Sequence, residues 1–465
     1  MSGLESALSL LRQFFPPDLS PSYLKAALVP LYETLEMAAG AILLAIIISL
    51  PLALVIGARL PGWRLLRSLL TSVRSIPDLT LAILCVVLIG LGPAAGTVAL
   101  TVFYTAALGK VFADIFASAD PGPIDALHAT GARRVMVALY GLLPLRSQDL
   151  LTYGGYEFES AVRASVIVGA VGAGGIGTEL VGSLNMTDYH RVTTLVIMLV
   201  ALIAAIDLFV WCVRIQPKLL LLLAVFGAFA AWVNRPHLIA LNHAVTTFKS
   251  MLPPHLSPEA VREVPALIGQ TLFIAFGGTL LAMTFALPLG VAAARNIAPA
   301  FISFPVRRLL ETLRAIPEVV WGLIFVGVGG LGPPIGILAL GLHSTGTLGK
   351  LYAESLENVR PEPAMAIAAT GGSTIAITSF ALLPGAFAPM TVHTLFRLEW
   401  NMRAATIVGM IGAGGIGEAL FNAQQLFFYD QMLVYVLITW TMIMATDAIN
   451  TRLRKRWRVI EEQHL

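Results

Sequence analysis

The sequence predicts an all-α integral membrane protein: a tandem parallel repeat of one five-span module plus a connecting span, about 11 transmembrane helices in total. Composition is the first reason. Of the 465 residues 57% are hydrophobic and only 12% are charged, against roughly 25% charged in soluble globular proteins. The second reason is run length, because the apolar runs reach about 17 to 24 residues, enough for a helix to cross a hydrocarbon core of about 30 Å.

An internal repeat accounts for the order of the motifs along the chain. RSIPD at Arg74 returns as RAIPE at Arg314, 240 residues later, and LGK, ATG and LLP return at the same offset. The densest match sets residues 163–177 (RASVIVGAVGAGGIG) against residues 403–417 (RAATIVGMIGAGGIG), where eleven of fifteen positions are identical. Identity of this density indicates duplication of one module.

Upstream of these motifs the offset is 237, as between Pro51 and Pro288. The sequence therefore predicts a first module at residues 1–215, a connecting transmembrane segment at 216–250 and a second module at 251–465. In the first module, apolar runs indicate five spans, near residues 34–57, 76–92, 94–113, 145–168 and 192–213.

Because each copy has five spans, an odd number, a second copy that followed directly would lie inverted in the membrane. The run from Leu219 to Val233 therefore decides the orientation of the second copy. This run has no counterpart in the first copy, and as a sixth crossing it keeps the two copies parallel. Its 15 residues form a helix only about 22 Å long. Either flanking residues lengthen this crossing, or Lys218 and Arg235 extend toward the membrane interface.

Basic residues support the parallel arrangement, because Lys and Arg concentrate in cytoplasmic loops. This arrangement predicts an external N-terminus and a cytoplasmic C-terminus with its basic tail RLRKRWR. The basic clusters of both copies then share the cytoplasmic face: Arg59, Arg64, Arg67, Arg74, Arg295, Arg307, Arg308 and Arg314.

Composition and cysteine placement exclude several other classes. The net charge of +3 gives no support for nucleic-acid binding. Cys85 and Cys212 lie in apolar runs without metal-ligand spacing, so neither a disulfide framework nor a metal site is indicated. The first residues lack a basic region followed by a continuous apolar stretch, so no cleavable secretion signal is predicted.

A polar loop recurs between the third and fourth predicted spans of each copy. It reads DALHATG from Asp125 through Ala126 to Gly131, and MAIAATG from Met365 through Ala366 to Gly371. LLP begins eleven residues after each glycine. This order predicts a short helix, a turn, and re-entry into the membrane at the proline. The alternative is an ordinary loop.

In its loops and motifs the chain resembles a known family. The order acidic-Ala-x-x-x-x-Gly, then Leu-Pro twelve residues later, resembles the loop signature of permeases in binding-protein-dependent ABC importers. FFPPDLSP, TLEMAAG, RSIPD, GLGP, LGK, ATGA, YEFESAVRAS and VGAGGIG together resemble the permease of the phosphonate importer family. The resemblance covers nearly all of both copies.

This resemblance implies an importer for phosphonates or related small phosphorus oxyanions in the inner membrane of a prokaryote. Partners would be two copies of a cytoplasmic ATPase, which use ATP and Mg, and an external substrate-binding protein. The permease itself would bind no cofactor and would not be an enzyme. Consistent with this, no G-x-x-x-x-G-K-[ST] motif occurs in the chain. Met365, where the first copy has Asp125, puts equal coupling by the two loops in doubt.

GAGGIG satisfies a dinucleotide-binding pattern, but it ends a predicted membrane span and lacks the strand and crossover helix that such a site needs. Glycine-rich backbone at membrane depth is tolerated where it is buried in protein or lines an aqueous cavity. A role in the pathway or gate and plain close helix packing both remain open. The glycines concerned are Gly172, Gly174, Gly175, Gly412, Gly414 and Gly415.

Glu159 and Arg163, repeated as Glu399 and Arg403, lie four residues apart and so share one helix face. Charges at this depth are costly and seldom face lipid. They could contact an oxyanion in the path, or form a structural ion pair. Asp447, near the inner end of the last span, is interpreted as a helix-end residue.

Two other classes remain as alternatives. An ion-gradient-driven secondary transporter of small anions could also use repeats and midplane charges. The recurring cytoplasmic loop argues against it. A membrane enzyme is disfavoured, because no histidine cluster and no pairing of a nucleophile with a base recurs across the copies.

Overall fold

The computed structural model describes residues 15–216, 218–236 and 238–463 of the chain. These residues form helices joined by loops, with no strand among them, which confirms the all-α prediction. The chain divides into two compact units, one of Arg12–Pro253 and one that includes Pro254–Leu465. The predicted external position of the first residues falls on a segment outside the described part.

The first unit begins with a long helix and alternates long helices with short ones. Its helices are α1 (Pro21–Gly57), α2 (Trp63–Arg74), α3 (Asp78–Ile89), α4 (Pro93–Ala117), α5 (Pro121–Ala129), α6 (Arg134–Leu145), α7 (Ser147–Ala173), α8 (Gly175–Asn185), α9 (Tyr189–Ile215), α10 (Leu219–Val233) and α11 (Leu238–Ser250).

The second unit repeats the order of the first nine helices. It contains α12 (Pro258–Ala293), α13 (Ala300–Ala315), α14 (Glu318–Gly329), α15 (Pro333–Glu357), α16 (Pro361–Ala369), α17 (Thr374–Ala413), α18 (Ile416–Gln425) and α19 (Tyr429–Gln463). Here α17 runs without the break that separates α6 from α7. The tandem repeat of one helical module is thus confirmed.

Small side chains hold the two long helices of each module together. α1 packs along α4, and α12 along α15. Ala38, Ala41 and Ala45 of α1 and Ala95 of α4 are fully buried. Because these side chains are small, the helix backbones approach closely. Within a membrane the hydrophobic effect does not drive helices together, so such close van der Waals packing stabilises the pair.

The helix without a counterpart in the first copy, α10, packs against α1. A Cβ atom on Gly227 would lie 2.9 Å from the carbonyl oxygen of Ala39, so glycine is needed for this approach. The opposite side of α10 exposes Leu221 and Trp232. The guanidinium of Arg235 lies 3.7 Å from the centre of the Trp232 ring, at the helix end where the sequence placed a basic anchor.

The structure does not confirm eleven spans. By length and composition, six helices of the described residues are long and apolar enough to cross a membrane, or up to eight if each bent pair is one span. Three helices at predicted spans are outside those eight: α10 and α14, which have 15 and 12 residues, and α15, which has 25. A 12-residue helix is about 18 Å long.

Backbone breaks at both ends shorten α3. It starts after Pro77 and stops at Gly90, whose φ is +110°. At its start the chain turns by 86° from α2, a helix that carries Arg64, Arg67 and Arg74. The apolar run of residues 76–92 is continuous in the sequence, and its composition alone did not reveal where the helix ends.

The parallel arrangement predicts that equivalent positions of the two modules face the same side of the membrane. Leu69 of α2 and Leu309 of α13 are 240 residues apart and both are exposed. In a chain with Cys85 and Cys212 replaced by alanine, Leu69→Cys and Leu309→Cys should both be labelled by an impermeant maleimide only from the cytoplasmic side. Labelling from opposite sides would show an inverted repeat.

Candidate functional site

Each module contains a break in a long helix at its GAGGIG motif. In the first, α7 ends in a wide π-helical turn at Gly169–Ala173, and α8 leaves at an angle of 57°. The motif glycines take left-handed φ values that side chains rarely adopt. These φ values are +98° at Gly172, +86° at Gly174, +71° at Gly175, +109° at Gly412, +94° at Gly414 and +81° at Gly415.

Side chains of α1 satisfy the backbone at the start of α8. The Gly175 N–H donates to Glu33 Oε2 at 2.8 Å, and the Ile176 N–H donates to Thr34 Oγ1 at 2.8 Å. The first N–H groups of a helix have no partner within it. Their acceptors here come from a helix more than a hundred residues away in sequence.

The second module repeats this arrangement with one chemical change. The Gly415 N–H donates to Gln270 Oε1 and the Ile416 N–H to Thr271 Oγ1, both at 3.0 Å. The threonine is the same in both copies, but the first acceptor is a carboxylate in the first module and a neutral amide in the second. Sequence reasoning missed Glu33 and Gln270, although their position beside a threonine that recurs at the 237 offset could have revealed them.

The GLGP loops contact the same breaks. The Gly92 N–H donates to the Gly172 carbonyl oxygen at 3.0 Å, and the Gly332 N–H to the Gly412 carbonyl oxygen at 2.9 Å. Beside these bonds, the side chain of Leu91 lies over Gly172. TLEMAAG, GLGP and GAGGIG, which are separate in the sequence, therefore meet at one place in the first module.

Close packing explains the last glycine of the motif. A Cβ atom on Gly177 would lie 2.0 Å from the carbonyl oxygen of Val166, and one on Gly417 would lie 1.9 Å from that of Thr406. Neither distance is sterically possible. Tight packing therefore accounts for these two glycines, whereas a role of the break in the pathway or gate stays a prediction.

The predicted charge pairs form in both modules. Arg163 Nη1 lies 2.6 Å from Glu159 Oε1. Arg403 Nη2 lies 3.2 Å from Glu399 Oε1 and also 3.2 Å from Asp447 Oδ2. Asp447 thus ties α19 to α17 and is more than the helix-end residue inferred from the sequence.

A buried polar cluster in the second module was not found from the sequence. Arg397 Nε donates to Ser344 Oγ at 2.7 Å, Ser344 Oγ donates to Asn401 Oδ1 at 2.9 Å, and Asn401 Nδ2 donates to Thr279 Oγ1 at 2.9 Å. The chain of bonds joins α15, α17 and α12. Such a network fixes the packing of these helices, because its groups have no water to replace a lost partner.

A histidine and a carboxylate lie beside this cluster. His343 Nε2 is 3.5 Å from Glu318 Oε2, and its Nδ1 is 2.9 Å from the carbonyl oxygen of Ile316. A carbonyl oxygen only accepts, so Nδ1 carries a proton. At the 240 offset, the first module has Phe103 in place of this histidine and Glu157 in place of Arg397. Comparing the copies for changes in polarity could have located the cluster.

The recurring loops contain the predicted short helices. Both α5 and α16 have nine residues, and Gly131 and Gly371 follow them with the same φ of +79°. The next helix, α6, begins at Arg134, ten residues before Pro144, and re-entry into the membrane at the proline stays a prediction. In α5 and α16 the predicted coupling residues are exposed: Asp125, Ala126 and Ala366.

Comparison with protein families identifies one family model that matches both modules. The family is described as the binding-protein-dependent transport system inner membrane component, and it matches residues 45–214 and 286–459. Each match runs from within the first long helix of a module into the last. The breaks, charge pairs and loops described above all lie within the matched segments.

Curated relatives carry names of phosphorus oxyanion permeases. The chain is 30% identical to the phosphate-import permease protein PhnE of Mycolicibacterium smegmatis, over 98% of this chain and 90% of the relative. It is 39% identical to the phosphite transport system permease protein PtxC of Stutzerimonas stutzeri, over 41% and 69%. It is 36% identical to the putative cryptic phosphonate transport system permease protein PhnE2 of Escherichia coli, over 26% and 99%.

The acceptors on α1 lead to a prediction about stability. Glu33→Gln should be tolerated, because Gln270 makes the same bond in the second module. Glu33→Ala should lower the free energy of unfolding by about 1–3 kcal/mol, because the Gly175 N–H loses its acceptor. Thermal unfolding of the detergent-purified chain, followed by tryptophan fluorescence, measures this, with Gln270→Glu as matched control. Equal melting of the Glu33→Ala variant and the native chain would contradict it.

The charge pairs lead to a second prediction. Arg403→Gln should reduce the amount of folded protein more than Arg163→Gln, because Arg403 is the partner of two carboxylates. A buried charge that loses its partner destabilises the fold by about 3–5 kcal/mol. Glu159→Gln should restore the Arg163→Gln chain if that pair is structural. If Arg163 instead contacts the solute, uptake falls while membrane abundance stays normal and Glu159→Gln gives no rescue.

Proposed function

This chain belongs to the family of binding-protein-dependent transport system inner membrane components, and we propose that it supplies both halves of the permease of one ATP-driven importer. The observation that carries the proposal is the presence of two complete modules in one polypeptide, both matched by the family. Each contains the same broken helix and the same exposed short helix. The resemblance stated from the sequence motifs is thereby confirmed.

The cargo we infer is a small phosphorus oxyanion. The relatives are named for phosphate, phosphite and phosphonate, which share a tetrahedral phosphorus carrying negatively charged oxygens. Arg163 and Arg403 are the residues proposed to contact it in passing, because a guanidinium offers several fixed donors to an oxyanion. Their bonds to Glu159 and Glu399 support only a weak contact, and weak binding favours release from a pathway.

The broken helices are proposed as the gate of each module. Gly172, Gly174 and Gly175, like Gly412, Gly414 and Gly415 in the second module, provide a backbone that bends without side-chain bulk. The hydrogen bonds from the GLGP loop to the break support this role, because they connect the end of α3 to the point where α7 bends. A movement of α3 can therefore be transmitted to α7 through these hydrogen bonds.

The two short helices are proposed to dock two copies of a cytoplasmic ATPase. Asp125, Ala126 and Gly131 would form the contact in the first module, and Ala366 and Gly371 in the second. Exposure of α5 and α16 and the equal turns after them support this assignment. The ATPases would bind ATP and Mg, and an external binding protein would deliver the solute. This requires an external N-terminus and a cytoplasmic C-terminus in a prokaryotic inner membrane.

Reconstitution tests the transport proposal. Proteoliposomes that contain this chain, its cognate ATPase and its binding protein should take up a phosphorus oxyanion only with internal ATP and Mg. Phosphate, phosphite and a simple alkylphosphonate are compared as labelled substrates. Uptake without the ATPase, driven by an ion gradient, would refute the proposal in favour of a secondary transporter.

The docking proposal leads to a prediction at the turn glycines. Gly131→Arg and Gly371→Arg should each weaken ATPase association, because a bulky charged side chain enters the docking surface. Since φ is +79° at both positions, the matched control is Gly131→Asn, as asparagine tolerates this conformation. Full recovery of the ATPase in a pull-down with the Gly131→Arg, Gly371→Arg chain would show that docking occurs elsewhere.

Charge reversal at Asp125 should weaken association more than a change at Met365.

A further inference from the structure

A cavity of about 440 Å³ lies where the helices of the first module end near the recurring loop. Five elements enclose it: the end of α1, α2, the end of α4, α5 and α6. Its ionisable lining consists of Arg59, Arg67, Asp125, His128 and Arg134. Basic side chains from four different elements therefore converge on one space.

The backbone at Arg59 is strained in a way that brings this side chain to the cavity. α1 ends with the Leu60 N–H bonded to the Val55 carbonyl oxygen, and Arg59 lies inside that turn with a φ of +51°. Glycine usually fills this left-handed position at a helix end. An arginine here pays a conformational cost that a glycine would avoid, which is typical of residues kept for function.

The cavity has more positive than negative charge within reach. Arg67 is paired with Asp114 at 2.8 Å, and Asp125 is the carboxylate in the lining. Within the described part of the chain, the side chains of Arg59, His128 and Arg134 form no hydrogen bond or ion pair. Two guanidinium groups are therefore available to a ligand.

The second module differs from the first at these places. Met365, Ala368 and Thr374 replace Asp125, His128 and Arg134 at the 240 offset. Arg295 follows the end of α12 by two residues, as Arg59 follows the end of α1, but its φ is not left-handed and its N–H donates to Glu357 Oε1. Arg307, the counterpart of Arg67, donates to the Ala293 carbonyl oxygen and pairs with Glu357. The combination of a left-handed Arg59 with His128 and Arg134 therefore occurs in the first module and does not recur in the second.

We propose that this cavity binds a phosphate-type oxyanion. Arg59 and Arg134 supply guanidinium donors, the group best suited to fixed, charge-assisted bonds to phosphate oxygens, and His128 supplies a further donor. The phosphate group has two possible sources. It is free inorganic phosphate, or it is the headgroup of an anionic phospholipid, since α2 carries exposed Leu65 and Leu69 between its arginines.

Binding of labelled inorganic phosphate to the purified full chain tests the first source. The chain is placed in nanodiscs of phosphatidylcholine alone, without ATPase or binding protein, so the outcome does not depend on transport. Arg59→Gly and Arg134→Gln should each weaken phosphate binding about tenfold or more, as expected for loss of a charged hydrogen bond. Arg64→Gln and Arg133→Gln remove the same charge from neighbouring positions outside the lining and should leave binding nearly unchanged.

Native mass spectrometry tests the second source. In nanodiscs with an equimolar mixture of phosphatidylcholine and phosphatidylglycerol, the native chain should retain phosphatidylglycerol and the Arg59→Gly chain should lose it. Dependence of free phosphate on Arg59 and Arg134 identifies a solute site, and dependence of lipid alone identifies a headgroup site.

Failure to fold does not obscure the result, because Arg59→Gly relieves backbone strain and should melt no lower than the native chain. If phosphate bound in the transport path instead, none of the cavity variants would change its affinity. The proposal is overturned if neither ligand depends on Arg59 and Arg134, or if the neighbouring controls weaken binding as much.

Discussion

The structure depends on one constraint, that backbone polar groups inside a membrane must find partners within the protein. Each module breaks a long helix at its GAGGIG motif and so exposes N–H groups at the start of a new helix. Glu33 and Thr34 in the first module, and Gln270 and Thr271 in the second, accept these bonds. This requirement fixes the register of α1 against α8, and with it the small-residue packing of α1 on α4.

Two kinds of position respond differently to this constraint. Backbone geometry is the same in the two modules, as the φ values and the GLGP contacts show. Side-chain charge is not the same, since Glu33 corresponds to Gln270 and Glu157 to Arg397. An acceptor oxygen is required at the break, but a carboxylate and an amide both provide one. At the break, charge is therefore free to change as long as an acceptor oxygen is kept.

Composition and repetition were enough to predict the all-α membrane fold, the duplicated module, the short loop helices and the paired charges at Arg163 and Arg403. They failed where a contact joins distant segments. An apolar run does not show that α3 stops at Gly90, and the count of eleven spans is not confirmed. Nor does local sequence show that Glu33 reaches the Gly175 N–H or that Asp447 reaches Arg403. Such partners follow from helix packing, which no single-segment pattern contains.

Joining both modules in one chain changes what each position can do. In a symmetric pair of identical subunits every residue occurs twice, in equivalent surroundings. A strained arginine such as Arg59 would then be present in both halves, and so would the cost of its left-handed backbone. In this chain only the first module carries it, while Arg307 of the second module is held by Glu357. The duplication therefore preserves two breaks with the same backbone geometry and lets the surfaces near the two loop helices diverge.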